Sequence, residues 1–114
     1  MSIKLIPILT RSETTSVRVN DILFVERKGR IITIHTHERE FKYSGKFSVL
    51  LKMLGRSFYA CHASFIINFE KVVCFKEGIM HLENNRPIPM GKNAYQAARK
   101  NYISFLVAFT TAEE

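Results

Sequence analysis

The chain has 114 residues, about one domain, and its 46% hydrophobic and 11% aromatic content is that of a folded body, not of a basic tail. It carries 17 basic against 10 acidic residues, a net charge of +7, and no apolar run approaches the roughly 18 residues that span a bilayer. A single aspartate, Asp21, excludes sites built from clustered aspartates: paired-Asp catalysis, Asp-rich calcium loops and the phospho-acceptor pocket of a receiver domain.

In chain order, residues 1–14 read as a leading strand or N-terminal extension. The segment holds one Lys and a short apolar stretch broken by Pro7, which is a strand's pattern and not a signal peptide's. Residues 15–105 read as the domain proper and 106–114 as a C-terminal tail, with Thr110–Glu114 frayed. Between Thr15 and Phe105 there are 15 basic and 7 acidic residues, so the excess charge belongs to the folded part.

Ile22–Val25 and Ile31–Ile34 are β-branched or aromatic runs, joined by a turn over Glu26–Arg30 with Gly29 at the position open to positive φ. Phe41 and Tyr43 alternate with Glu40 and Lys42, a half-buried strand. Phe47, Leu50, Leu51 and Leu54 fall on one face of a short helix, with Gly55 as its cap. Val72–Phe75, Ile79–Leu82 and Arg86–Met90 form a meander with two-residue turns at Glu77-Gly78 and Asn84-Asn85. Pro87 and Pro89 cannot donate to a ladder and assign the last strand to an edge. A second helix spans roughly Asn93 to Phe105, with Ala94, Ala98, Tyr102 and Phe105 as its packing face. The fold class is mainly β: antiparallel sheets of short strands with one or two short helices.

Enzyme chemistry finds little support. Cys61 and His62 are neighbours and on a strand point to opposite faces, which separates a thiol from its base. Cys61 and Cys74, 13 residues apart, match no zinc or redox spacing; they read as buried thiols of a reduced, cytoplasmic protein, with a disulfide as the minor alternative. His35 and His37 would share a strand face, with His81 or Glu83 able to join them, but two His are too few for a structural zinc site. The five glycines are isolated and form no phosphate loop. No metal or organic cofactor is expected.

The charge, with a pI of 9.7, points instead to a polyanion. Arg27, Lys28 and Arg30 crowd one turn; His62 and Ser64 precede the apolar Phe65-Ile66-Ile67; Lys92 and Asn93 open the second helix. Donors at the ends of elements can enter a groove while a sheet keeps them in register. RNA is disfavoured because most Phe and Tyr fall on apolar faces and are not left to stack on bases. The alternative from another class is a protein-interaction module that docks its basic surface on an acidic partner.

Phe58-Tyr59-Ala60-Cys61-His62-Ala63-Ser64-Phe65-Ile66-Ile67-Asn68 resembles the F-x-x-x-H-x-S-(F/Y)-x-x-N signature of LytTR DNA-binding domains. Val19–Glu26 is similar to that family's "dI-x-y-I-E" strand, and Ile88–Asn93 to its "i-p-V-S-(R/K)-(R/N)" block. The resemblance covers about residues 15–100. It implies a mostly β domain of a bacterial transcription regulator that inserts loops into successive major grooves of double-stranded DNA. By position it implies three DNA-contacting loops, at Arg27, Lys28 and Arg30, at His62, Ala63 and Ser64, and at Lys92 and Asn93. It also implies paired direct repeats as target, a dimer or pairing on DNA, and a receiver domain or membrane-bound inhibitor outside this chain. Two positions depart from the pattern: Ala63 stands where a polar residue is common, and Gly91 where Ser is common. Arg30 and Lys92 suit guanine N7 and O6. Arg27, Lys28, Ser64 and Asn93 suit phosphate, Ala63 suits a thymine methyl, and His62 is either a phosphate donor or a structural hydrogen-bonding group. Asn68 is expected to bond backbone in a turn.

Overall fold

The computed structural model describes residues 4–62 and 64–112, with side chains through residue 108. Ten strands and two helices follow one another as β1 (Leu5–Leu9), β2 (Thr14–Arg18), β3 (Ile22–Lys28), β4 (Ile31–Thr36), β5 (Glu40–Ser44), α1 (Phe47–Leu54), β6 (Phe58–His62), β7 (Phe65–Asn68), β8 (Val72–Lys76), β9 (Ile79–Leu82), β10 (Arg86–Pro89) and α2 (Lys92–Ala112). They form a β1-β2 hairpin, a five-stranded sheet in the order β5-β4-β3-β7-β6 and a three-stranded sheet in the order β10-β9-β8. Every strand pairing is antiparallel.

The uninterrupted apolar run Ile22-Leu23-Phe24-Val25 explains why β3 lies at the centre. A strand with one wet face alternates; one covered on both faces does not. All four residues are at most 2% exposed. Ile22 and Val25 join Ile32, Ile34, Phe41 and Ile66 in a first core, closed by α1 and the β1-β2 hairpin. Leu23 and Phe24 join Ile67, Phe69, Met80, Leu82 and Ile88 in a second core, closed by the three-stranded sheet and α2. Each fully buried Ile or Leu contributes roughly 1.5–3 kcal/mol.

The expected helix faces are the observed ones. Phe47, Leu50 and Leu54 are buried, and Gly55 ends α1 at φ +99°. On α2, Ala98 is completely buried, Tyr102 packs on Phe69 and Phe75 at 5.5 and 5.3 Å between ring centroids, and Phe105 lies 5.6 Å from Phe69. β10 is an edge strand, as its prolines require.

Five local details differ from the sequence reading. The turn over Glu26–Arg30 contracts to Gly29-Arg30, because Lys28 still pairs with Ile31 and Gly29, at φ +61°, reverses the chain in two residues. The Asn84-Asn85 turn has three residues: Leu82 pairs with Arg86, and both asparagines take positive φ. β2 was hidden in Thr14–Arg18, where only Val17 is buried and the alternation is too weak to read. The second helix does not stop at Phe105 but runs to Ala112. His37 lies past the end of β4, so it does not extend the face that carries His35.

Asn68 and Cys61 both sit against the cores. Asn68, 1% exposed, donates through Nδ2 to the Ile22 carbonyl at 2.8 Å and accepts from the Glu70 N–H at 3.0 Å, so it locks the turn after β7 to the start of β3. A bulge in β6 between Ala60 and His62 sets Cys61 against the second core. Burial there pushes its thiol up to about 11. Cys61 and Cys74 are both free and half-buried.

Asn68→Ala leaves the Ile22 carbonyl and the Glu70 N–H without their partner and is expected to destabilise the fold by about 2–3 kcal/mol; urea unfolding should show a lower midpoint with an unchanged m-value. The folded thiol of Cys61 ionises later than an unfolded one, whose ordinary value is 9.0. Its contribution to stability is therefore complete below pH 9 and lost as pH rises towards 11. Iodoacetamide, which takes the thiolate, should label Cys61 slowly in the folded protein at about pH 8 and rapidly once urea is added; fast labelling of folded Cys61 at that pH would contradict its burial.

Candidate nucleic-acid interface

Pairing of β3 with β7 sets Glu26 opposite Phe65, and the Arg27 N–H donates to the Ser64 carbonyl at 2.9 Å. The β3-β4 and β6-β7 hairpins therefore end side by side. The connection from β5 to α1 joins them: Ile31 pairs with Ser44, and the Gly45 N–H donates to the Arg30 carbonyl at 3.2 Å. Three separate connections thus meet at one end of the large sheet, held by backbone bonds that do not depend on the side chains they present.

Arg27, Arg30, Lys46 and His62 line one open groove there, with Phe47 and Ser48 in its wall. No carboxylate lines it. Arg27 shares the face of Val25 and lays its guanidinium over the Phe47 ring at 5.3 Å, so its stem covers core while its head stays at the groove. Lys28 follows on the opposite face of β3 and is exposed. Ser64 contributes its backbone carbonyl to the junction and is half-buried. Ala63 lies outside the described residues.

Of the two roles open to it, His62 takes the structural one. Its Nδ1 accepts the Ser64 N–H at 3.0 Å and its ring stands edge-on to Phe65 at 4.9 Å, so it shapes the β6-β7 turn. With Nδ1 an acceptor, the proton of the neutral ring is on Nε2, which leaves a donor for a ligand.

Lys92 and Asn93 are exposed at the first turn of α2 and stand apart from this groove. Their anchors are elsewhere: the Met90 N–H donates to the Gly78 carbonyl at 3.3 Å, and Tyr95 packs on Phe75 at 5.6 Å. The donors expected from the sequence therefore fall in two places, a groove on the large sheet and a tip on the small one.

Sequence reasoning missed Lys46. Its signal was a lone cation after Gly45, directly before the first apolar residue of α1, and such a residue reads as a helix flank until the topology brings it to Arg30. Two other histidines take carboxylate partners: His35 meets Glu26, and His37 meets Glu83 at 3.0 Å. Among the described residues no three His, Cys, Asp or Glu side chains gather as a metal site. No helix among them is long and apolar enough to cross a membrane.

What the groove offers is guanidinium, ammonium, imidazole N–H and hydroxyl donors in a concentrated positive field. Such a set holds oxyanions, phosphate above all, and contains no base paired with a nucleophile.

Comparison with known proteins agrees with this geometry. The family profile of the LytTr DNA-binding domain matches residues 12–102. Among solved structures, the chain is similar to the LytTr DNA-binding domain of a protein described as a methyl-accepting/DNA response regulator from Bacillus cereus. The TM-score is 0.71 at 16% identity, over 90% of this chain and 98% of that one. No curated protein matches the chain. The profile spans most of the molecule, including the groove and both hairpins that form it, and the chain belongs to the LytTR family of DNA-binding domains.

Proposed function

We propose that the chain binds double-stranded DNA sequence-specifically as the DNA-binding domain of a bacterial transcription regulator, working in the cytoplasm, with its connecting turns seated in successive major grooves. The observation that carries this reading is the groove in which Arg27, Arg30, Lys46 and His62 converge without a carboxylate. Three like charges held together by a fold, with an imidazole N–H beside them, favour a polyanion, because each phosphate the cations neutralise releases condensed counterions. The reading names double-stranded DNA, because the donors sit on protruding hairpin ends and not on an aromatic face that stacks bases.

The roles divide by position. Arg27 is pinned on Phe47 and Lys46 flanks α1, so both suit the phosphate backbone. Lys28, Ser64, Asn93 and the Nε2–H of His62 suit phosphate as well. Arg30 occupies the second position of a two-residue turn and is exposed, which suits a base edge; Lys92 at the small-sheet tip is its counterpart. Ala63 offers only a methyl contact to thymine. No metal or organic cofactor takes part. The reading extends to paired direct repeats as target, association of two copies on DNA, and a receiver domain or membrane-bound inhibitor outside this chain.

With about 6–10 phosphate contacts, affinity for duplex DNA should fall roughly 10³–10⁵-fold between 50 and 200 mM salt. Lys46→Ala and Arg27→Ala should weaken every duplex alike and lower the salt slope by about 0.9 each. Arg30→Ala and Lys92→Ala should each cost about 1–3 kcal/mol on a selected site and relax one base position. Duplex affinity that is flat in salt, by fluorescence anisotropy, would overturn the reading.

A further inference from the structure

Beneath the large sheet, on the face opposite the groove, a buried histidine gathers more exposed polar partners that phosphate contacts do not explain. His35 of β4 is 5% exposed. Its ring stacks on Phe24 at 4.2 Å and 7°. Its Nε2 meets Glu26 Oε2 at 2.5 Å, and Glu40 Oε1 lies 3.5 Å from its Nδ1. The remaining member comes from the other sheet: Arg86 of β10 places Nη2 3.4 Å from His35 Nδ1 and its guanidinium 5.3 Å from the centre of the Phe24 ring.

A guanidinium only donates, so Nδ1 accepts from Arg86 and the ring proton on Nε2 is given to Glu26. The chain Arg86–His35–Glu26 thus runs from the edge of the small sheet to the strand that carries Arg27. It supplies what the apolar contacts lack. Packing of Ile88, Met80 and Leu82 under the large sheet is strong but non-directional, and tolerates small rotations. A planar fork stacked on one ring and bonded to another does not. From Arg86 onward the chain is stiff: Pro87 and Pro89 fix φ, Ile88 is buried, and Lys92 follows at the start of α2.

We propose that Arg86 is a positioning residue that fixes the seat of the small sheet on the large one and thereby the spacing between Lys92 and Arg30. The inference rests on the proposed function, since spacing matters only if both ends read one duplex. Arg86 then governs discrimination between sequences more than affinity for DNA in general.

The test uses the whole chain, duplexes it enriches from a random pool, and a scrambled duplex of equal length. Arg86→Ala should reduce the preference for enriched over scrambled DNA, within the roughly 5- to 150-fold that one base contact is worth. Affinity for the scrambled duplex should move by less than about twofold, since the phosphate contacts remain. The lost preference should fall at the base positions that Lys92→Ala also relaxes. Arg86→Lys, which keeps the charge but not the planar fork, should behave like Arg86→Ala. An unchanged preference, an equal loss on both duplexes, or full discrimination in Arg86→Lys would each overturn the inference and leave the proposed function standing. If the unaltered chain enriches no sequence, the proposed function fails and this inference with it.

Discussion

β3 cannot slide. Ile22 and Val25 fill one core and Leu23 and Phe24 the other, all at most 2% exposed. A shift of one residue would send each set to the wrong side and bury Glu26 or Arg27 in its place. That register decides the rest. It turns Arg27 towards Phe47 and the groove, turns Glu26 towards His35 and the small sheet, and brings β3 to its end beside Ser64. The two functional halves of the molecule are the two faces of one strand.

The groove gathers like charges, which is unfavourable by itself. Its members are held by contacts that need no carboxylate: a cation–π contact for Arg27, a backbone bond at the Arg30 carbonyl, a ring contact and an accepted N–H for His62. The repulsion that remains is screened at physiological salt, where fields decay over about 8 Å. It is balanced by two cores that do not involve the groove's charged heads. A site built this way is ready before its ligand arrives, so ordering on binding costs little.

Much of the scaffold was legible because its signals are local. Unbroken apolar runs mark β3 and β4, the helical spacing of Phe47, Leu50 and Leu54 marks α1, and Gly29 and Glu77-Gly78 mark reversals. Asn68 could be read as a backbone-bonding residue, and both of its bonds are to backbone. What escaped depends on distant partners. β2 owes its existence to pairing with β1 and shows one buried side chain of its own. The last turns of α2 carry Leu106 and Val107 at 43% and 60% exposure, so no packing stripe announces them. Lys46 entered the site through a sheet register, and Arg86 through contact between two sheets 51 residues apart in sequence from His35. Such coincidences of surface residues leave no period in a sequence.

The division between the large-sheet groove and the small-sheet tip bears on how the proposed groove reading would work without a recognition helix. A helix carries its reading residues on one rigid rod, with spacing set by the 1.5 Å rise. Here Arg30 and Lys92 belong to different sheets, and their separation is a packing property that neither element fixes alone. Apolar contact gives the seat its strength, but a liquid-like preference for area cannot choose among nearby orientations. A directional contact must do so, and Arg86 on His35 and Phe24 spans that seam, as does the His37–Glu83 pair. The place of Arg86 on the face of β3 away from the groove keeps its guanidinium apart from the cations of the groove.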